Sequence, residues 1–171
     1  MNRHTILSIC AMTTMALAMI PSGAAAQQKS LKDQLIGTWT LVSTEDTEPN
    51  GTKHQYFGVN PKGIMILDAG GRYAQVAGRS DRPKFTGNGN LRLNTPAAQY
   101  GEAARAFAGN FGTWSVNEAD KTLTRRYEAA LVPNVEGADQ KNSVSLAGDE
   151  MKLVSTSAAG LRTEAVYRRA K

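Results

Sequence analysis

Cysteine is almost absent from this chain, and histidine is rare. The one cysteine, Cys10, lies in an N-terminal apolar run, so the rest of the chain can form no disulfide, thiolate nucleophile or Cys-ligated metal site. Beyond that run the only histidine is His54, which we expect at an exposed rim, and one histidine cannot build a typical zinc site. No Gly-x-Ser-x-Gly motif presents a catalytic serine. The sequence therefore predicts no metal, no cofactor and no catalytic set.

A hydrophobic run long enough to cross a bilayer is also lacking. The stretch Ile6–Ile20 is interrupted by polar residues and has about 15 residues, whereas a span needs roughly 20. Arg3 and His4 precede it and three alanines ending at Ala26 follow, which is the order of a secretory signal. We therefore expect cleavage after Ala26, a periplasmic or secreted protein, and one domain over residues 27–171.

The charge and the aromatic content argue against a nucleic-acid partner. Without Arg3, 19 basic side chains remain against 15 acidic ones, a net charge of +4, and the basic residues are scattered. Aromatic residues make up only 6% of the chain, too few for a base-stacking groove. We expect a small-molecule partner, neither nucleic acid nor a membrane span, and a monomer or weak dimer.

Short strand-like segments separated by turn residues dominate the sequence after residue 37. A short helix is predicted at Leu31–Leu35, and a second at Pro96–Phe107 with Thr95 as its cap, after a long polar loop over residues 78–95. About nine strands are predicted, at 39–44, 54–59, 63–67, 72–77, 110–116, 122–132, 142–146, 151–155 and 162–169. One long sheet would curl and closure would remove its edges, so the sequence predicts an all-β, antiparallel up-and-down barrel of 8 to 10 strands with one short helix in a long connection.

Several motifs resemble, in order and spacing, those of the bacterial lipocalin-like domain family, whose fold is a calycin-type β-barrel. They are Gly37-Thr38-Trp39, Pro61-Lys62-Gly63, Gly71-Arg72-Tyr73, Gly112-Thr113-Trp114, Leu131-Val132-Pro133-Asn134 and Gly148–Leu153. The resemblance covers most of residues 35–169 and implies a barrel that holds a small apolar or amphipathic molecule. The family often has a histidine where this chain has Arg125, so no role of that imidazole is carried over.

Trp39 is predicted to plug the closed end of the barrel. An arginine of the last strand can stack over its ring, and we expect Arg168 to do so, with Arg169 as the alternative. If Trp39 faces inward, strand alternation places Leu41, Ser43 and Glu45 on the same face.

Polar residues at alternating positions of three strands are the candidate ligand contacts. Arg125 and Tyr127 share a strand face with Leu123 and Leu131, which is typical of a pocket that orients a polar or anionic group of an apolar ligand. The predicted ligand-binding residues are Ser43, Glu45, Tyr73, Gln75, Arg125 and Tyr127. Two alternatives stay open: Arg125 faces solvent while Arg126 and Glu128 face inward, or Arg125 pairs internally with Glu45.

Three functions are compatible with this sequence. The favoured one is an exported binding protein with its ligand inside the barrel. The second is an isomerase or cyclase that uses Tyr73, Arg125, Tyr127 and Glu45 for proton transfer or oxyanion stabilisation. The third is a structural or inhibitory envelope protein with a filled barrel and an exposed apolar patch.

Overall fold

The computed structural model describes residues 29–171, so the predicted signal, residues 1–26, lies outside the described residues. The helices are α1 (Leu31–Leu35), α2 (Leu91–Asn94) and α3 (Ala97–Arg105), with a 3₁₀ turn at Pro133–Val135. The strands are β1 (Gly37–Thr47), β2 (Lys53–His54), β3 (Lys62–Leu67), β4 (Arg72–Gly78), β5 (Phe107–Asn117), β6 (Thr122–Ala130), β7 (Asp139–Ala147), β8 (Glu150–Thr156) and β9 (Arg162–Arg169).

Eight of these strands form a closed antiparallel barrel. Their order is β1-β3-β4-β5-β6-β7-β8-β9, and β9 pairs back onto β1 from Trp39↔Arg169 to Thr47↔Arg162. β2 pairs only with the end of β1 and lies outside the ring. Closure gives every barrel strand a hydrogen-bonded partner strand on each side. The predicted up-and-down barrel is confirmed.

The base of the barrel is closed by α1 and Trp39. Ser30 caps α1, since its Oγ accepts a hydrogen bond from the backbone N–H of Asp33 at 3.0 Å. Leu35 and Trp39 are fully buried, and the Trp39 indole N–H donates to the carbonyl of Leu35 at 2.8 Å. The helix therefore packs onto the same end of the ring at which β1 begins.

The arginine that stacks on the Trp39 ring is Arg169, the alternative candidate in the sequence analysis. The prediction that Arg168 stacks there was wrong. The Arg169 guanidinium carbon lies 4.2 Å from the centroid of the Trp39 ring. Arg168 is exposed, because successive residues of β9 face opposite sides of the sheet and Arg169 holds the inward position.

The connection between β4 and β5 lies at the opposite, open end and is more structured than the sequence predicts. It contains α2 as well as α3, and α3 is shorter than expected. Thr95 does not cap α3: it ends α2, and Pro96 occupies the N-cap position without a side-chain hydrogen bond. The strand predicted at 54–59 is reduced to the two residues of β2. Within residues 29–171, no helix is long and apolar enough to cross a bilayer.

Candidate ligand-binding site

A cavity of about 200 Å³ lies inside the barrel, above the buried core at the base. Its walls come from six of the eight barrel strands, β1, β4 and β6 to β9, and from the segment after β2. Ten of the lining residues are polar and five are apolar: Thr44, Asp46, Gln75, Arg125, Tyr127, Gln140, Asn142, Ser155, Thr163 and Tyr167, with Leu41, Phe57, Ala77, Leu153 and Ala165. The interior is therefore neither filled nor uniformly apolar.

Arg125 is the central charged residue of this cavity. Only 6% of its surface is exposed, and it projects inward from the middle of β6. Its Nη1 donates to Oε1 of Gln75, and its Nη2 donates to Oδ1 of Asn142 at 3.0 Å. Both partners are neutral amides, so they satisfy hydrogen bonds but do not balance the charge.

A short hydrogen-bond chain runs from Arg125 across the barrel to Tyr167. Because the Gln75 carbonyl oxygen faces Arg125, its amide N–H2 faces the other way and donates to the Tyr167 hydroxyl at 3.2 Å. Burial raises the pKa of Tyr167 to about 12, although the nearby Arg125 charge lowers it in part. The phenol is therefore protonated at neutral pH and keeps its O–H available as a donor.

Tyr73 lies beside Arg125 within the core. The Arg125 guanidinium carbon is 5.7 Å from the Tyr73 ring centroid, and the Tyr73 hydroxyl is buried without a hydrogen-bond partner among the described residues. Burial raises the pKa of Tyr73 to about 12, against the opposing effect of the Arg125 charge. Tyr73 thus packs against Arg125 and does not itself line the cavity.

A β-bulge in β1 changes which residues face the cavity. The register with β9 shifts between Leu41 and Ser43, so Val42 is an extra residue on β1. Beyond it, Thr44 and Asp46 line the cavity, and Ser43 and Glu45 do not. The expectation that Ser43 and Glu45 share the face of Trp39 therefore does not hold.

Glu45 has its own partner outside the cavity. Its Oε1 forms an ion pair with Nζ of Lys53 at 2.7 Å. The alternative prediction from the sequence, an internal ion pair between Glu45 and Arg125, is therefore wrong.

The other alternative, with Arg125 in solvent, is also wrong. Arg126 and Glu128 are the exposed residues of β6; Arg126 forms an ion pair with Asp139 at 3.3 Å, and Glu128 pairs with Arg72. The hydrogen bond from Arg72 holds the pKa of the Glu128 carboxyl below its ordinary value. Arg125 and Tyr127 alternate with these two residues along β6, and both line the cavity.

The sequence model of one family, described as a lipocalin-like domain, matches residues 36–170. The chain belongs to this lipocalin-like domain family. The match spans the whole barrel from the end of α1 to the last strand. No curated protein matches the chain.

Two solved structures similar to the lipocalin-like domain are designed barrels. One is a de novo designed fluorescence-activating β-barrel, with 11% identity, a TM-score of 0.41, and coverage of 83% of this chain and 99% of that chain. The other is a redesigned β-barrel, with 14% identity, a TM-score of 0.42, and coverage of 84% and 100%.

Of the six residues predicted from the sequence, three line the cavity of the lipocalin-like domain. These are Gln75, Arg125 and Tyr127, while Tyr73 packs against Arg125 and Ser43 and Glu45 lie elsewhere. Sequence reasoning missed the polar residues that β7 and β9 supply, above all Asn142 and Tyr167. One signal could have found Tyr167: it lies two residues before Arg169, so placing Arg169 on Trp39 also turns Tyr167 inward.

A larger hollow of the lipocalin-like domain is a less suitable site. It measures about 580 Å³ and lies outside the barrel, between α1, the turn after β5 and strand β7. Its charged residues, such as Lys29, Lys121 and Glu118, are exposed to solvent. We assign the candidate site to the interior, where a charge is desolvated and interactions are stronger.

Residues 29–171 contain no cluster of three or more His, Cys, Asp or Glu side chains that could hold a metal ion. The lining of the cavity supplies hydrogen-bond donors, one arginine, one aspartate and an apolar wall.

Proposed function

We propose that this lipocalin-like domain binds a small amphipathic molecule inside its barrel. The observation that carries the proposal is the interior cavity of about 200 Å³ with a buried cation, Arg125, on one wall and apolar side chains on another. Binding sites of this kind combine an apolar lining with a few fixed polar groups that orient the ligand.

The two walls are held in place by different parts of the fold. The amides of Gln75 and Asn142 fix the Arg125 guanidinium, and β1, β8 and β9 supply Leu41, Leu153 and Ala165. Because these residues lie on strands that are paired on both sides within the closed barrel, the site is preformed and little ordering is needed when a ligand enters.

The two alternative functions receive less support. No hydrogen bond among the described cavity residues joins two ionisable side chains, which is the arrangement that would favour an isomerase or cyclase. The ligand-free alternative requires a filled barrel. An exposed apolar surface is present on β3, β4 and β5, with Ile66, Val76 and Phe111 each more than 40% exposed, but the interior has space.

The proposed setting is the periplasm or the exterior of the cell. It is supported by the sequence of residues 1–26 alone, with its basic start, apolar run and small residues before Gln27. Expression of the full chain in a bacterial host, followed by intact mass measurement of the periplasmic fraction, tests it. A chain beginning at Gln27 is expected, and an uncleaved cytoplasmic chain would contradict it.

Titration with a hydrophobic fluorophore, together with native mass spectrometry of the purified protein, tests the binding function. We expect saturable binding that Ala165→Phe abolishes, because the new ring fills the cavity. Val166→Phe, on the opposite face of β9, is the matched control and should bind as the parent does. Absence of saturable binding, with no molecule carried through native mass spectrometry, would refute the proposal.

A further inference from the structure

The positive charge of Arg125 has no anionic partner within the described part of the chain. None of the ion pairs formed by residues 29–171 includes Arg125. An arginine that is 6% exposed carries a large desolvation cost, which neutral amides and the Tyr73 ring offset only in part. An anion bound directly against the guanidinium would supply the missing charge.

Unused hydrogen-bond donors surround the same point. The Arg125 Nε–H is buried without a partner, and Nη1 and Nη2 each carry a second N–H beyond the one they use. The Tyr167 hydroxyl accepts from Gln75 and keeps its own hydrogen. The Asn142 amide accepts from Arg125 through its oxygen, which turns its N–H2 group away from the guanidinium. Strands β6, β7 and β9 thus each supply a cavity-lining residue with N–H or O–H hydrogens beyond those used in these bonds.

The aspartate of the cavity limits the charge of the ligand. Asp46 lines the same cavity, and its Oδ1 accepts a hydrogen bond from the Thr163 hydroxyl rather than from Arg125. A second negative charge on a ligand would have to lie in a small space with this carboxylate. The pair of charges in the wall thus favours a ligand with one negative charge.

The volume limits the length of the ligand. A cavity of about 150 Å³ accommodates benzene, which has six carbon atoms, so the 200 Å³ here accommodates about eight non-hydrogen atoms. A six-carbon monocarboxylate has that size. A long-chain fatty acid is larger than this volume, so we expect the part of its chain beyond about six carbons to add little affinity.

We propose that the barrel binds a short-chain monocarboxylate, with the carboxylate on Arg125, Tyr167 and Asn142 and the alkyl chain against Leu41, Leu153 and Ala165. This inference rests on the binding function proposed above and names its ligand class. Charge-assisted hydrogen bonds from a guanidinium to a carboxylate are among the strong ones in proteins, and the phenol and amide complete the set of donors.

Calorimetric titration with sodium hexanoate tests this ligand class. We expect saturable binding, at least about tenfold weaker binding of 1-hexanol and of the dianion hexanedioate, and little gain in affinity from hexanoate to dodecanoate. Arg125→Gln should weaken hexanoate binding at least about tenfold, in line with the strength of charged hydrogen bonds. Arg126→Gln is the matched control, because Arg126 is exposed on the same strand, and it should change the affinity less than about twofold.

Tyr167→Phe provides an independent variant, since it removes only the hydroxyl. It should weaken hexanoate about threefold or more and leave 1-hexanol unchanged. If Arg125→Gln does not fold, as judged by circular dichroism, Tyr167→Phe decides, and unchanged hexanoate affinity in that variant overturns the inference.

The outcomes separate this inference from the binding function. If 1-hexanol or the hydrophobic fluorophore binds saturably while hexanoate does not, the monocarboxylate class is wrong and the binding function stands. Equal binding of hexanoate and 1-hexanol, unaffected by Arg125→Gln, also refutes the monocarboxylate. If no probe binds, both the binding function and the monocarboxylate class are refuted.

Discussion

Arg169 joins the helix, the first strand and the last strand at the base of the barrel. Its guanidinium lies on the Trp39 ring, and it donates to the carbonyls of Ile36 at 3.1 Å and of Gln34 at 2.6 Å. These carbonyls lie at the end of α1, where no N–H of a further helical turn donates to them, and a cation is favourable there. One side chain thus stabilises three elements.

Replacing Arg169 with Gln should lower the free energy of unfolding by about 1 to 3 kcal/mol, because it removes the cation–π contact and two charged hydrogen bonds. Urea denaturation followed by tryptophan fluorescence measures the change. Arg168→Gln is the control, since Arg168 is exposed, and it should change stability by less than about 0.5 kcal/mol. Equal effects of the two substitutions would contradict this role of Arg169.

Tyr167 should make the protein less stable in alkali. In the folded state its pKa is raised from 10.0 to about 12, mainly by burial. The charge of Arg125 lowers this pKa in part, and Tyr127 adds to the increase. Below pH 10 both states keep the proton. Between about pH 10 and 12 the unfolded chain loses it first, so the unfolded state binds fewer protons and the free energy of unfolding falls as pH rises.

For Tyr167 this loss amounts to roughly 2 to 3 kcal/mol, from about 1.4 kcal/mol for each pKa unit. Tyr167→Phe should therefore lose less stability than the parent between pH 9 and pH 12, as measured by denaturant titration. Tyr56→Phe, at a position 55% exposed, should follow the parent. Identical pH profiles for the parent and Tyr167→Phe would show that the phenol does not titrate in this way.

At the scale of elements, the sequence predicts regular strands well and bulges not at all. The prediction of β9 at 162–169 has the bounds that the structure shows, and no extra residue interrupts β9 where it pairs with β8. In β1, the extra residue Val42 reverses the alternation, so the sequence points to Ser43 and Glu45 where the fold presents Thr44 and Asp46. A bulge depends on how a strand pairs with a strand that is distant in the sequence, so the local pattern of polar and apolar residues does not predict it.

The second bulge lies where β6 passes Gly112 of β5. The register shifts between Phe111 and Gly112, and Glu128 is the extra residue on β6. A Cβ at position 112 would lie 1.9 Å from the carbonyl oxygen of Arg126 and 2.9 Å from the amide nitrogen of Glu128. The bulge therefore requires a residue without a side chain at this point.

Gly112→Ala should cost about 3 kcal/mol or more, or prevent folding, because backbone atoms on two paired strands would have to separate. Gly101→Ala is the matched control, since a Cβ there meets only the flexible end of Arg105 at 3.7 Å and Gly101 lies inside α3. It should raise stability by about 0.5 to 1 kcal/mol. Thermal denaturation of the two variants checks both signs, and a harmless Gly112→Ala would refute the close approach.

At the scale of the whole molecule, pairing of the first and last strands makes the barrel one cooperative unit. β1 and β9 share eight register pairs, and β9 also pairs with β8 from Glu150↔Arg168 to Thr156↔Arg162. The other seven strands lie between β1 and β9 in the sequence. Loss of β9 would therefore open the barrel and expose β1 and β8 as unpaired edges along with the core around Trp39.

A chain that lacks residues 162–171 should show no cooperative unfolding transition and should bind a hydrophobic dye. A deletion of equal length within the connection at the open end, residues 84–93, is the control. Those residues add no strand to the ring and few are buried, and shortening a long loop costs little, so this variant should unfold in one transition within about 1 kcal/mol of the parent. Near- and far-ultraviolet circular dichroism followed through urea denaturation would measure both. A cooperative transition without β9 would mean that seven strands suffice and that closure is not what binds the ends of the chain into one unit.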